Sequence, residues 1–219
     1  MGIKLRQALG TLPDLFRDPY DLSRVVELYD ALSTWAPIEL AYDAMVRGLD
    51  ATERAALAAL TTEPLDIDAL TALPSGTLGR GYIDFLEDHD LAPDYWIQAY
   101  PASVATTERN WVMHRFAKTH DFHHVVLGAS ASLPDEIGLQ VFNFLNFGEP
   151  YGFASVGALP FVMLRYPAWK ATLRAVWRLG RVAPRMDNLF LFPWEHHYAT
   201  PVTALRARFG MPAEGLLAA

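Results

Sequence analysis

At 219 residues with 52% hydrophobic side chains, the chain is long enough to bury one sizeable core, and a single domain over 1–219 is expected. Its 18 Lys+Arg against 25 Asp+Glu give a formal charge of -7, without the basic footprint that nucleic acid demands, which argues against that partner. The absence of cysteine excludes disulfides, thiolate zinc sites and a cysteine nucleophile, so any metal must sit on His and carboxylate ligands.

The N-terminal run MGIKLRQALGTLPDLF carries two early cations but lacks the apolar stretch, about 7–15 residues long, of a secretory signal, and a cytoplasmic location is expected. Helical periodicity then dominates. Leu22, Val25, Val26, Tyr29 and Leu32 fall on one stripe of a helix. Thr52 and Glu53 open a capped run of strong helix formers through Leu60 that stops before Pro64. Asp66 caps a short helix ending near Leu73.

The run LPSGTLGRGYIDFL at 73–86 begins with a turn signal and leads into a helix carrying Tyr82, Phe85 and Leu86. Gly79 and Gly81 each weaken a helix by about 1 kcal/mol against alanine, so close backbone packing or a nearby ligand is expected to explain them. A phosphate-cradling loop is the alternative, disfavoured because no strand precedes it and GxGxxG spacing is absent. Pro93 to Pro101 reads as a loop rich in aromatics: Tyr95, Trp96 and Tyr100.

From Thr107 a long helix is predicted through about Leu127, with Gly128 as its stop. Pro134 suits the first turn of the next helix, Asp135 to about Phe147, which ends at Gly148. A further helical stretch from Ala154 to Arg178 is expected to break at Pro160 and Pro167, and a last one near Trp194 to Phe209 to be perturbed by Pro201. The most apolar region, Ile137 to Tyr166, is divided by Glu149, Pro150 and Pro160. It never reaches the roughly 20 uninterrupted apolar residues of a spanning helix. The expected class is all-α: one helical, bundle-like domain without repeats.

On the long helix, His120 and His124 stand one turn apart, their Cβ atoms about 5–6 Å from each other, with Asp121 at i, i+3 from His124. Two His at this spacing can direct ring nitrogens to one metal, and a carboxylate adds a hard oxygen. The short connection from Leu127 to Pro134 lets the next helix fold back, which brings Glu136 within reach as a fourth ligand. A satisfied buried polar network is the alternative reading of these four residues. His114 is two turns from Asp121 and too far to ligate, hence expected behind the ligands or at the surface. His123 belongs to another side of the helix, exposed or satisfied in the core. Gln140 shares the face of Glu136 and either lines the cavity or is an ordinary polar position. A zincin HExxH would need Glu where Asp121 stands, so protease activity is disfavoured; HD-type phosphohydrolases need an earlier His and a later Asp on separate helices.

The ordered pattern His120, Asp121, His124, eleven residues, then Glu136 resembles the signature of the Coq-four family of ubiquinone (coenzyme Q) biosynthesis. The likeness extends to LPSGTLGRGYIDFL at 73–86, to WVMHRFAKTHD at 111–121 and to Trp194-Glu195, and covers about residues 10–210. It implies a helical metalloprotein at the inner face of a membrane that works on a polyprenylated aromatic ring. The implied reaction is oxidative decarboxylation, replacing the carboxylate of a polyprenyl-hydroxybenzoate by a hydroxyl. The implied alternative is a non-catalytic scaffold that holds a prenyl lipid and gathers other ubiquinone-biosynthesis proteins; the aromatic, glycine-rich stretch Phe142 to Phe161 is able to pack around a prenyl chain. His120, His124 and Glu136 are the expected ligands of one divalent ion, with Asp121 a fourth ligand or the carboxylate that orients a histidine. Zinc is the default ion; manganese, iron, cobalt and magnesium remain open, and an oxidative step favours a redox-active one. Arg80 and Arg115 are read as solvated helix-face charges or as partners for a substrate anion. A homodimer is neither implied nor excluded.

Overall fold

The computed structural model describes residues 36–93 and 108–217, with scattered residues between 10 and 31. The stripe Leu22, Val25, Val26, Tyr29 and Leu32 and most of the Pro93–Pro101 loop lie outside the described residues. Among the described residues the secondary structure is helical: α1 Ala36–Met45, α2 Ala51–Thr62, α3 Ile67–Thr71, α4 Leu78–Asp88, α5 Glu108–Leu127, α6 Leu133–Phe147, α7 Pro150–Arg165, α8 Trp169–Val182 and α9 Val202–Arg208, with short 3-10 turns at Ala183–Arg185 and Trp194–His197. This is the all-α class expected, and no described helix is long and apolar enough to cross a membrane.

Several helix ends follow local chemistry. Asp66 caps α3 by accepting from Ala69 N, Pro134 sits in the first turn of α6, and Gly148 closes α6 in the left-handed region at φ 80°. The cap of α2 is Asp50 rather than Thr52: its carboxylate accepts from Glu53 N while the Glu53 side chain accepts from Asp50 N, a reciprocal capping box. Pro160 does not break its helix, because α7 runs through it. Pro160 and Val156 are both exposed, so the carbonyl that loses its partner can turn to water. Pro167 does separate α7 from α8.

The centre of the fold is α5, packed against α1, α2, α4 and α9. Its first half joins a core with Tyr42, Leu57, Phe147 and Phe190, and its second half a larger core with Tyr82, Phe85, Phe142, Leu179 and Trp194. At the end of α5 the guanidinium of Arg206 donates to the carbonyls of Val125 and Val126, and Leu216 N donates to Leu127 O. Gly79 and Gly81 are explained by close packing, since a Cβ on Gly79 would stand 2.6 Å from Leu73 and one on Gly81 3.1 Å from Val125.

Arg115 is not a solvated charge. It is fully buried, paired with Glu195 and donating to Phe192 O at 2.6 Å, while Lys118 Nζ reaches Glu195 at 3.1 Å and the carbonyls of Leu60 and Glu63. Burial opposes the Glu195 charge, but the two cations outweigh it and hold its carboxyl below the usual range. Arg80 stays on the surface of α4, paired with Asp84 and Glu87.

On the other side α6 packs against α7 and α8. A Cβ on Gly152 would stand 2.6 Å from Phe144 Cβ, so the start of α7 lies directly on α6. Glu149 is buried just before α7 and accepts from Gly152 N at 2.8 Å. Burial raises its carboxyl to about 7, which the hydrogen bonds from Tyr151 N and Gly152 N only partly oppose. A raised folded-state value means that the native state binds more protons than the unfolded chain between 4.5 and about 7, so stability falls as pH rises through that window. Urea melts across this range should show the wild type losing up to about 3 kcal/mol relative to Glu149→Gln as pH rises; a difference between the two that does not change with pH would contradict this.

Candidate metal centre

Three donors from two helices converge at the α5–α6 boundary. His120 and His124 project from one face of α5, and Glu136 comes from the first turn of α6, where the positive end of the helix dipole favours a carboxylate. One ligand atom from each lies within 4.8 Å of the other two. His124 Nε2 is 3.2 Å from Glu136 Oε1, and His120 Nε2 is 3.8 Å from Glu136 Oε2. Ligand atoms of a tetrahedral centre stand roughly 3.4 Å apart, so small side-chain adjustments would close this set around a divalent ion.

Asp121 has a different place. Its Oδ1 is 3.1 Å from Nδ1 of His120. An ionised carboxylate only accepts, so Nδ1 carries the proton and the lone pair of Nε2 is left facing Glu136 and the amide of Gln140, whose nitrogen is 3.4 Å away. His124 is buried, stacked on Phe85 with centroids 4.8 Å apart, and edge-on to His120. Its Nε2 faces Glu136 Oε1, so imidazole and carboxylate stand side by side as two donors able to share one cation.

Electrostatics agrees with the geometry. Burial disfavours a charged His124, but Glu136 and then Asp121 outweigh it and raise its affinity for a proton. Burial likewise opposes charge on Glu136, yet the imidazoles of His124, His120 and His89 bring its carboxyl down to about 2. A site that holds a proton this firmly between nitrogen and carboxylate offers a divalent cation the same negative potential, and the Glu136 side chain, about a third exposed at 32%, leaves one side open.

The remaining polar residues of this region sort differently. Gln140 does reach the site, through the contact just given. His114 is buried and away from the cluster, its two nitrogens without a hydrogen-bond partner, and burial, then Lys118, lowers its proton affinity. His123 is on the core side of the helix, not exposed: it is packed between Phe147 and Trp194 with Asn143 as its polar neighbour. Neither Arg80 nor Arg115 faces the site, since both are engaged elsewhere. Phe85 and Phe116, which wall the two ligand histidines, carry no chemical signal in a sequence and had to be located by the fold.

Comparison with known proteins adds an independent line. The chain is 30% identical over 156 residues to a mitochondrial ubiquinone biosynthesis protein COQ4 of Coprinopsis cinerea, covering 69% of this chain and 52% of that one. It is 33% identical over 150 residues to a mitochondrial homolog 1 of COQ4 from Culex quinquefasciatus, covering 67% and 52%. The chain thus spans about half the length of the curated relatives it matches. A crystal structure of a protein from Nostoc punctiforme superposes with a TM-score of 0.74 at 23% identity, covering 94% of this chain and 97% of that one, a likeness of fold. The family described as coenzyme Q (ubiquinone) biosynthesis protein Coq4 matches residues 16–214, which include every residue of the cluster and nearly all of the fold around it, and the chain belongs to that family.

Proposed function

We propose that this chain is a metal-dependent enzyme of ubiquinone biosynthesis that oxidatively decarboxylates a polyprenyl-hydroxybenzoate, with His120, His124 and Glu136 holding the ion and Asp121 fixing His120. The observation that carries the reading is the convergence of two imidazoles and one carboxylate with one side open, because a structural site is closed by protein ligands whereas a catalytic one keeps a position for substrate. A bound divalent ion supplies Lewis acidity toward the ring carboxylate and the neighbouring phenol oxygen. The donor set suits zinc, manganese, iron or cobalt, and magnesium less well.

The chain's own residues do the rest. Asp121 keeps the proton on Nδ1 of His120 and so holds the ligand tautomer. Gln140 places an amide beside His120 where it can orient a substrate oxygen. Phe85 and Phe116 wall the histidines and keep water from them, which strengthens every charge interaction inside. In the net change two ring acids and one dioxygen yield two phenols and two molecules of carbon dioxide, a two-electron oxidation of each ring in which both oxygen atoms of dioxygen end as phenol hydroxyls. The polyprenyl tail makes the substrate membrane-borne, so the protein works at the inner membrane surface beside other enzymes of the pathway.

The purified protein, supplemented with each candidate metal, should hold about one ion per chain by elemental analysis. His124→Ala should lower that occupancy at least about tenfold, and His114→Ala should not. Full retention in His120→Ala, His124→Ala and Glu136→Ala together would remove the ligand assignment.

A scaffold in which the cluster merely ties α5 to α6 is separated from an enzyme by turnover. Release of labelled carbon dioxide from a carboxyl-labelled, short-prenyl hydroxybenzoate under air should fall at least about tenfold in Asp121→Asn, a transition-state loss of about 1.4 kcal/mol, with the melting temperature little changed. No release by the wild type with any candidate metal, or equal release by the variant, would favour the scaffold.

A further inference from the structure

Glu136 stands in the first turn of α6, directly after the connection that leads out of α5, so the placing of that connection decides where its carboxylate meets the two histidines. The amides of this connection are answered one by one. Ala129 N donates to His124 O at 2.9 Å, Ser130 N to Asp135 Oδ2 at 2.8 Å and Ser132 N to Ser130 Oγ at 3.3 Å, all within the α5–α6 hairpin. Ala131 N is answered from elsewhere. It donates at 3.2 Å to Nε2 of His89, the residue that closes α4.

His89 is built into its place. Its Nδ1 lies 2.7 Å from Phe85 O. A carbonyl only accepts and a backbone amide only donates, so Nδ1 carries the proton and Nε2 offers its lone pair to Ala131. Both nitrogens are thereby used, and His89 has no lone pair left for an ion. The ring packs on Phe85 with centroids 4.5 Å apart, and Phe85 in turn stacks on His124 at 4.8 Å. Directly beyond His89 the helix stops: Asp90 takes the left-handed region at φ 53°, a place glycine usually fills, and Leu91 N donates back to Leu86 O at 2.9 Å. One imidazole therefore touches both halves of the cluster, the aromatic wall of His124 and the chain that leads to Glu136.

We propose that His89 is a positioning residue that sets Glu136 against His120 and His124 by pinning the α5–α6 connection to the end of α4. Its effect on ion affinity rests on the metal reading of the cluster; the pinning itself needs no ion. Capping α4 would require only the bond to Phe85 O, four residues back in the same helix. The bond to Ala131 crosses to another element, and from there the order is passed on: Ser130, next to Ala131, holds Asp135 through both its amide and its hydroxyl, and Asp135 is the neighbour of Glu136. Without the acceptor on His89 the connection is free to shift, and Glu136 with it.

Two variants separate the hydrogen bond from the ring. His89→Phe keeps a ring against Phe85 and removes the acceptor, whereas His89→Gln gives up the ring and keeps an oxygen near the position of Nε2. Zinc affinity, measured by competition with a chelator, should fall at least about tenfold in His89→Phe and stay within about threefold of the wild type in His89→Gln. In a Glu136→Gln background His89→Phe should cost little more, because both changes act through one ligand. Equal losses in the two His89 variants, or additive losses in the double variant, would mark a merely structural residue and overturn the proposal. Amide exchange of the metal-free protein reads the pinning alone: the half-buried Ala131 N–H should be protected in the wild type and in His89→Gln, and exchange at least about tenfold faster in His89→Phe. An Ala131 amide unprotected in the wild type, or equally protected in His89→Phe, overturns the pinning whether or not zinc binds; a wild type that binds no zinc while exchange responds as expected refutes the metal assignment instead.

Discussion

The desolvation of α5 is the constraint on which the rest of the structure depends. Residues 111–124 are all buried, and among them are His114, Arg115, Lys118, Thr119, His120, Asp121, His123 and His124. Taking charged and polar side chains out of water costs several kcal/mol per unpaired ion, so the surrounding elements must answer them. Arg115 and Lys118 are answered by Glu195, by the carbonyls of Phe190 and Phe192, and by the end of α2. Thr119 donates back to Arg115 O. His120 is held by Asp121. What the fold supplies to His124 is a carboxylate beside it and an aromatic ring beneath it, a setting that favours a positive charge at that point.

These arrangements couple the C-terminal half of the chain to the site. The 3-10 turn bearing Glu195 and the Arg206 contacts to Val125 and Val126 hold α5 from the C-terminal side, while α6 is held from its far face by α7 and α8. The candidate ligands therefore sit between two independently anchored helices, which limits how far the histidines and Glu136 can drift apart. The surface follows the same division. Acidic groups predominate over most of the chain, whereas the layer that covers α6 is cationic and partly apolar.

What was legible beforehand was mostly local. Pro134, Gly148, Asp66 and Pro167 act through their own backbone geometry, and the structure keeps each where the residues predict. The His120–His124 pair follows from helical spacing, and the approach of Glu136 from a short connection. The Asp50–Glu53 capping box was readable too, in the D-x-x-E spacing, but was overshadowed by the neighbouring Thr52. Arg115 is buried and not solvated because its partner Glu195 lies 80 residues along the chain, outside any local pattern. Pro160 is tolerated for a related reason: whether a helix accepts proline depends on which face meets water, a property of tertiary packing. The division of labour by which Asp121 holds one nitrogen of His120 while the other faces Glu136 needs side-chain geometry that no spacing specifies.

The central claim is that His120, His124 and Glu136 share one cation. Anomalous diffraction from crystals grown with manganese or zinc tests it most directly. The account predicts a single peak in this cluster, about 2.0–2.2 Å from a nitrogen of each histidine and an oxygen of Glu136, with Asp121 still bound to Nδ1 of His120. A peak elsewhere, or a metal-free cluster with His124 and Glu136 closed into a direct ion pair at saturating metal, would contradict it.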